Sequence, residues 1–122
     1  MPVSRIAKED LKQRLESEDA ATKPVILDVR LKYAYEHSTV TLPGAVRMMA
    51  NAIDAARLPK DRDIVVYDSD PAEVTASGAA VDLLRLGFRA TVLTGGIAEW
   101  AGANYPMDSK PAPKPAPAPA KA

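Results

Sequence analysis

Short apolar runs that alternate with helical segments are the sequence feature that most constrains this fold. Four runs of apolar, often β-branched residues predict strands, at residues 25–29, 45–48, 63–68 and 89–93. Four stretches of helix-forming composition or helical periodicity predict helices, at residues 8–17, 49–56, 73–86 and 97–101. Strands that are apolar throughout and alternate with helices are typical of a parallel sheet. The sequence therefore predicts an α/β fold of three layers, with helices on both faces of the sheet.

The chain divides by composition into a globular part and a tail. With 122 residues, it has the usual size of one domain. The last 14 residues contain five of the eleven prolines, three lysines and no acidic residue, and they show no apolar periodicity. Such a Pro/Ala/Lys-rich segment is typical of an extended, disordered chain. We therefore predict one domain over residues 1–108 and a disordered tail over residues 109–122.

Composition also excludes several classes of function. The chain has no cysteine, which excludes disulfides, thiolate metal sites and a cysteine nucleophile, and its single histidine excludes a histidine-rich metal centre. Its 16 basic and 16 acidic residues balance, which argues against nucleic-acid binding by charge alone. No segment has the apolar length of a secretory signal or a membrane span. We expect a cytoplasmic protein with no metal or other cofactor and with neither a nucleic-acid nor a membrane partner.

The loop after the third predicted strand is the first place to look for a site, because ligands of parallel sheets bind beyond the carboxyl ends of strands. Asp70 is suited to cap the following helix, Pro71 suits the first helical position, and Glu73 can reach back to the N–H of Asp70. Asp68 is not needed for this cap, and it lies where a helix N-terminus attracts an anion. We predict a loop with the character of an active site, formed by Asp68, Ser69, Asp70, Pro71, Ala72, Glu73, Val74 and Thr75.

Five segments resemble, in order and spacing, those of the rhodanese-like domain. They are Ile26-Leu27-Asp28-Val29-Arg30, Tyr35 followed by Leu42-Pro43-Gly44-Ala45, Ile64-Val65-Val66-Tyr67, Leu86-Gly87-Phe88 and Gly95-Gly96-Ile97-Ala98-Glu99-Trp100. The resemblance covers residues 3–107 and implies about five parallel strands with helices on both faces. The family's active members are sulfurtransferases. In them, a cysteine directly after the strand that ends in tyrosine carries sulfur as a persulfide, and backbone N–H groups of the next loop surround it.

The sequence departs from this family at the catalytic position. Asp68 stands where the resemblance places the nucleophile, and Asp70 where some relatives have a second cysteine. The family's usual basic residue is absent from the loop, and Thr41, not His37, falls at the usual histidine position. A carboxylate cannot form a persulfide. We therefore predict a domain that lacks sulfurtransferase activity and acts as a binding or regulatory module for an unknown protein partner.

Several conspicuous residues outside the loop are interpreted as structural. Asp28 and Arg30 are expected to form a polar pair near a strand end, which orders the loops and supports the site without catalysing a reaction. Trp100 is expected to close the last helix on the sheet. Gly95 and Gly96 are expected to allow backbone conformations that other residues disfavour.

Two alternatives use the acidic loop itself. A strand followed by Asp68-Ser69-Asp70 is similar to the first motif of haloacid-dehalogenase-type phosphatases, in which the first aspartate attacks phosphorus beside magnesium. The chain lacks a later acidic pair that would complete this metal-dependent site, and it is short for that fold. The second alternative keeps the rhodanese-like fold and lets Asp68 and Asp70 bind a cation or a cationic partner.

Overall fold

The computed structural model describes residues 3–16, 23–69 and 74–109. The strands are β1 (Arg5–Ile6), β2 (Val25–Asp28), β3 (Val40–Thr41), β4 (Val46–Arg47), β5 (Asp63–Tyr67), β6 (Arg89–Leu93) and β7 (Asp108–Ser109). The helices are α1 (Lys8–Glu16), α2 (Lys32–Glu36), α3 (Val74–Arg85) and α4 (Gly96–Gly102), with a 3₁₀ turn over Ala55–Arg57. Five of the strands form a parallel sheet in the order β1-β6-β5-β2-β4.

The sheet is buried on both faces because its strands are apolar on both sides. Along the central strand β5, Ile64 and Val66 belong to one core, which includes Leu83 of α3. The intervening Val65 and Tyr67 belong to a second core, which includes residues of α1 and α4. Successive side chains of a strand point to opposite faces, so the α3 core and the α1/α4 core lie on opposite sides of the sheet. The predicted α/β fold of three layers with five parallel strands is confirmed.

Trp100 closes the second core, as predicted. Its side chain is buried, and its indole Nε1 donates a hydrogen bond to the backbone oxygen of Pro106 at 2.7 Å. The ring of Tyr105 packs edge-on against it, with ring centroids 5.0 Å apart. These contacts hold the segment between α4 and β7 against the second core.

The predicted helix over residues 49–56 is wrong. This segment contains turns and the 3₁₀ turn over Ala55–Arg57, in which the Asp54 side chain accepts a hydrogen bond from the N–H of Ala56. An Asx cap of this kind satisfies the backbone locally and competes with a longer helix. Pro59 follows two residues later and limits any continuation of the turn.

The short elements β1, α2, β3 and β7 had no counterpart among the predicted strands and helices. Four of the strands have only two residues each, which is too short for any periodicity to appear in the sequence. β3 pairs with β7 in a small antiparallel sheet, with Val40 opposite Ser109. Ser109, the first residue of the predicted tail, therefore belongs to a strand. The rest of the predicted tail lies outside the described residues.

No helix in the described part of the chain has both the length and the apolar character needed to cross a membrane.

Candidate functional site

Asp68 lies directly after the central strand β5, at the carboxyl edge of the sheet. Its side chain is buried, with 1% of the residue exposed. Its Oδ2 accepts a hydrogen bond of 2.7 Å from the backbone N–H of Ala76, in the first turn of α3 as described. The donor lies one residue beyond the 68–75 loop. A carboxylate at this place is favoured both by the hydrogen bond and by the positive end of the helix.

The backbone of Asp68 is held by the beginning of α4. The N–H of Ile97 donates to the backbone oxygen of Asp68 at 3.0 Å. Gly96 has a positive φ of 62°, and a Cβ at this residue would lie 2.3 Å from the same oxygen and 3.4 Å from Oδ1 of Asp68. Only glycine permits this approach of α4 to β5, as expected for the Gly95-Gly96 pair.

Asp28 and Arg30 form the predicted polar pair at the end of β2. Both residues are buried. The Arg30 side chain donates from Nε to Oδ1 and Oδ2 of Asp28 at 3.1 and 3.0 Å, and from Nη2 to Oδ2 at 2.7 Å. The backbone N–H of Arg30 also donates to Oδ1 at 3.0 Å. Burial lowers the pKa of Arg30, but the hydrogen bonds and charge of Asp28 raise it more, so the net pKa lies above the ordinary value.

Tyr67 of the neighbouring strand β5 also binds Asp28, a role that the sequence analysis missed. Its hydroxyl donates to Oδ2 of Asp28 at 2.8 Å and accepts from the backbone N–H of Leu42 at 3.3 Å. Burial raises the pKa of Tyr67 well above its ordinary value, and the adjacent Asp28 carboxylate raises it further. The strand register places Tyr67 beside Asp28, so the contact depends on a pairing that one strand's sequence does not reveal.

Arg47 of β4 is the second residue that sequence reasoning missed. Its Nη1 lies 3.6 Å from Oδ1 of Asp28 and donates to the backbone oxygens of Asp28 and Arg30. The guanidinium also stacks over the Tyr35 ring, 4.2 Å from its centroid. Asp28 thus faces two arginines, one from its own loop and one from the edge strand.

Three other residues of the predicted loop, Ser69, Val74 and Thr75, lie in the described part of the chain. Ser69 and Thr75 are half-buried, and Val74 is 66% exposed. The predicted helix cap falls on residues 70–73, which lie outside the described residues. His37 is exposed at the end of α2, where Nδ1 lies 3.1 Å from the backbone oxygen of Tyr33.

Across residues 3–16, 23–69 and 74–109, no three histidine or acidic side chains are grouped so that they could bind an ion. Thr41 donates a hydrogen bond from its hydroxyl to the backbone oxygen of Leu42 at 3.0 Å. The candidate site thus contains two buried carboxylates. Asp28 is paired with cations, and Asp68 accepts a hydrogen bond from a backbone N–H.

Gly96→Ala is expected to destabilise the domain by about 2–4 kcal/mol, because the new methyl group collides with the Asp68 backbone and φ is unfavourable. Gly78→Ala is the matched control, since a Cβ there meets no atom within 4 Å and alanine favours the α3 helix. Urea unfolding measures the free energy of unfolding of both variants and the wild type. Equal stability of the Gly96 variant and the wild type would contradict the close approach.

Tyr67 is expected to make the domain sensitive to alkaline pH. A folded-state pKa above the unfolded value of about 10 gives a stabilising contribution that is complete below pH 10 and is lost as pH rises further. Tyr67→Phe should lower stability by about 1–2 kcal/mol at neutral pH and flatten the alkaline decline. Tyr33→Phe, at a tyrosine that is 74% exposed, is the control and should leave the decline in place. Unfolding free energies measured across this range test the prediction, and an unchanged slope in Tyr67→Phe would refute it.

The comparisons with known proteins agree with this fold. Residues 7–103 match the family model described as the rhodanese-like domain. A solved structure from Bacillus halodurans is 28% identical, with a TM-score of 0.76, and the match covers 87% of this chain and 77% of that one. One from Anabaena sp. is 31% identical, with a TM-score of 0.68, and the match covers 86% of this chain and 82% of that one.

A more distant structure shows the same fold. It is a rhodanese-related protein from Thermoplasma volcanium, 18% identical with a TM-score of 0.66, and the match covers 85% of this chain and 96% of that one. No curated protein matches the chain. Because the family model spans most of the chain and the solved structures share its sheet and helices, this chain belongs to the rhodanese-like domain family.

Proposed function

We propose that this rhodanese-like domain does not transfer sulfur and acts instead as a binding or regulatory module for a protein partner. The observation that carries the proposal is the complete absence of cysteine from the 122 residues. Sulfur transfer in the family requires a thiolate that becomes a persulfide. No other side chain in the chain can form that sulfur–sulfur bond.

The position of Asp68 supports the same conclusion. The family resemblance aligns it with the nucleophile, directly after the strand that ends in Tyr67. Its carboxylate already accepts the N–H of Ala76, a backbone donor of the kind that would stabilise a thiolate or persulfide in an active relative. An aspartate there places a carboxylate of the chain itself at this position. The proposed result is a sulfurtransferase fold whose anion site is filled by its own side chain.

The proposed binding role concerns the surface around the 68–75 loop. The Asp68 carboxylate is buried, so we propose that the partner contacts the loop at Val74, which is exposed. We propose a protein partner, in preference to a nucleic acid or a membrane, because the charges of the chain balance. The cytoplasmic location is part of this proposal, and cell fractionation of the full-length protein tests it.

The thiosulfate-to-cyanide sulfur transfer assay tests the absence of activity. The purified domain should produce no thiocyanate above the protein-free background, while an active rhodanese under the same conditions gives turnover. Reproducible turnover that scales with the concentration of the domain would overturn the proposal.

Asp68→Cys alone is expected to give at most weak sulfur transfer. The side chain position is almost fully buried, the loop lacks the family's basic residue, and Asp70 still repels an anionic donor such as thiosulfate. The same assay measures the effect, with Asp68→Ser as the control that lacks a thiol. Robust activity of the cysteine variant would show that the loop retains a working active site.

Asp68→Asn is expected to destabilise the domain by about 1–3 kcal/mol, because a neutral amide accepts the Ala76 N–H less strongly than a carboxylate does. Asp82→Asn is the matched control on the exposed side of α3 and should change stability by less than about 0.5 kcal/mol. Urea unfolding gives both values, and amide hydrogen exchange at Ala76 should become faster only in the Asp68 variant. Equal effects of the two substitutions would contradict the role given to Asp68.

The binding role is tested separately by affinity enrichment from the source organism. A partner that uses the 68–75 loop should be captured less by Val74→Glu than by Leu86→Glu, which changes an exposed residue just beyond the other end of α3. Equal capture by both variants would place the partner elsewhere and contradict the proposed binding surface.

A further inference from the structure

A cavity of about 380 Å³ lies beside the edge strand β4. Its lining includes Asp28, Tyr35, Thr41, Arg47 and Arg57. A cavity of this size is at the lower end of the range that holds small ligands in proteins. It differs from an ordinary apolar pocket because two arginines line it.

The cavity is separate from the site at Asp68. Leu27 and Val29 belong to the core beneath α3, so the intervening Asp28 points to the opposite face of the sheet. Asp68, in contrast, accepts its hydrogen bond from Ala76 of α3. Asp28 therefore lines the cavity from the face of the sheet opposite α3, and neither Asp68, Ser69, Val74 nor Thr75 is among the lining residues.

The local charges leave the cavity positive. Arg30 neutralises Asp28 through its three short side-chain contacts. Arg47 lies farther from the same carboxylate, at 3.6 Å, and adds a second cation to one anion. Arg57 is exposed, and no carboxylate in the described part of the chain forms an ion pair with it. The four side chains together carry a net charge of +2.

The hydrogen-bond donors of Arg47 are incompletely used. A guanidinium carries five N–H donors, and sulfur is a weak acceptor. Nη1 donates to two backbone oxygens, but Nη2 donates to the thioether sulfur of Met49 at 3.2 Å. The Arg47 side chain is 21% exposed and is held flat by the Tyr35 ring. A carboxylate or phosphate oxygen is a stronger acceptor for the Arg47 guanidinium than the Met49 sulfur is.

We propose that this cavity, the β4-edge pocket, binds a small oxyanion through Arg47 and Arg57. The ligand is a compact molecule that carries a carboxylate or phosphate group, the two chemistries that guanidinium forks recognise. Tyr35 positions Arg47 by stacking, and Arg57 supplies the solvent-facing charge. The proposal does not depend on the loss of sulfur transfer at Asp68.

The test is a ¹H–¹⁵N NMR titration of the full chain with inorganic phosphate and, separately, with succinate. Binding in the pocket should shift the backbone amides of residues 41, 45–47 and 57, with an affinity in the millimolar range and a loss of affinity at high salt. The two probes distinguish a phosphate-bearing ligand from a carboxylate-bearing one. Binding of either probe at these amides supports the pocket.

Substitutions then test the two arginines. Arg57→Gln should weaken binding about tenfold, because it removes one charge-assisted contact while leaving the buried network intact. Arg85→Gln removes an exposed arginine on α3, across the sheet, and should leave the affinity unchanged. Arg47→Gln should abolish binding, and its NMR spectrum shows whether the variant is folded. Three results would each overturn the proposal: no shifts with either probe, shifts confined to the tail, or unchanged affinity in Arg57→Gln.

Discussion

The buried carboxylate of Asp28 is the interaction on which the carboxyl edge of this sheet depends. An isolated charge at this depth would cost several kcal/mol, and it is tolerated because hydrogen-bond donors surround it. The hydrogen bonds come from Arg30 in the next loop and from Tyr67 of β5, and Arg47 of β4 adds a second positive charge 3.6 Å from Oδ1. One carboxylate thus joins three segments that are distant in sequence, and removing any partner leaves the charge less compensated. The network is a source of order at the edge where the family places its site.

The buried carboxylate of Asp68 is stabilised by different contacts. Its carboxylate accepts a backbone N–H at the beginning of α3, and α4 approaches closely because residue 96 is glycine. The two buried acids therefore differ in what they offer a ligand. The Asp28 network brings surplus positive charge to a cavity, whereas Asp68 puts negative charge where a rhodanese-like fold would otherwise attract an anion. The proposed oxyanion pocket at the β4 edge is therefore distinct from the position of Asp68.

Much of the fold was predictable because its signals are local. The apolar run of β5 and the composition of α3 predicted the central strand and its helix nearly to their ends. The prediction of a helix over residues 49–56 was wrong because the Asp54 side chain accepts a backbone N–H and caps a short 3₁₀ turn instead. The two-residue strands β1, β3 and β7 were not predictable, since they exist only through pairing with a neighbour. At the site, the Asp28–Arg30 pair was foreseen because its members are two residues apart.

The sequence by itself determined the absence of cysteine-based sulfur chemistry, because composition is a covalent fact that folding cannot change. It also determined the family, because the motifs are recognised by their order along the chain. Only the tertiary structure decided that Tyr67 and Arg47 meet at Asp28, since parallel register joins residues 39 and 19 positions apart. It likewise decided that Arg57 shares a cavity with Arg47. The physical reason is that charge pairing and close packing depend on distances in space, which the spacing of residues along the chain does not specify.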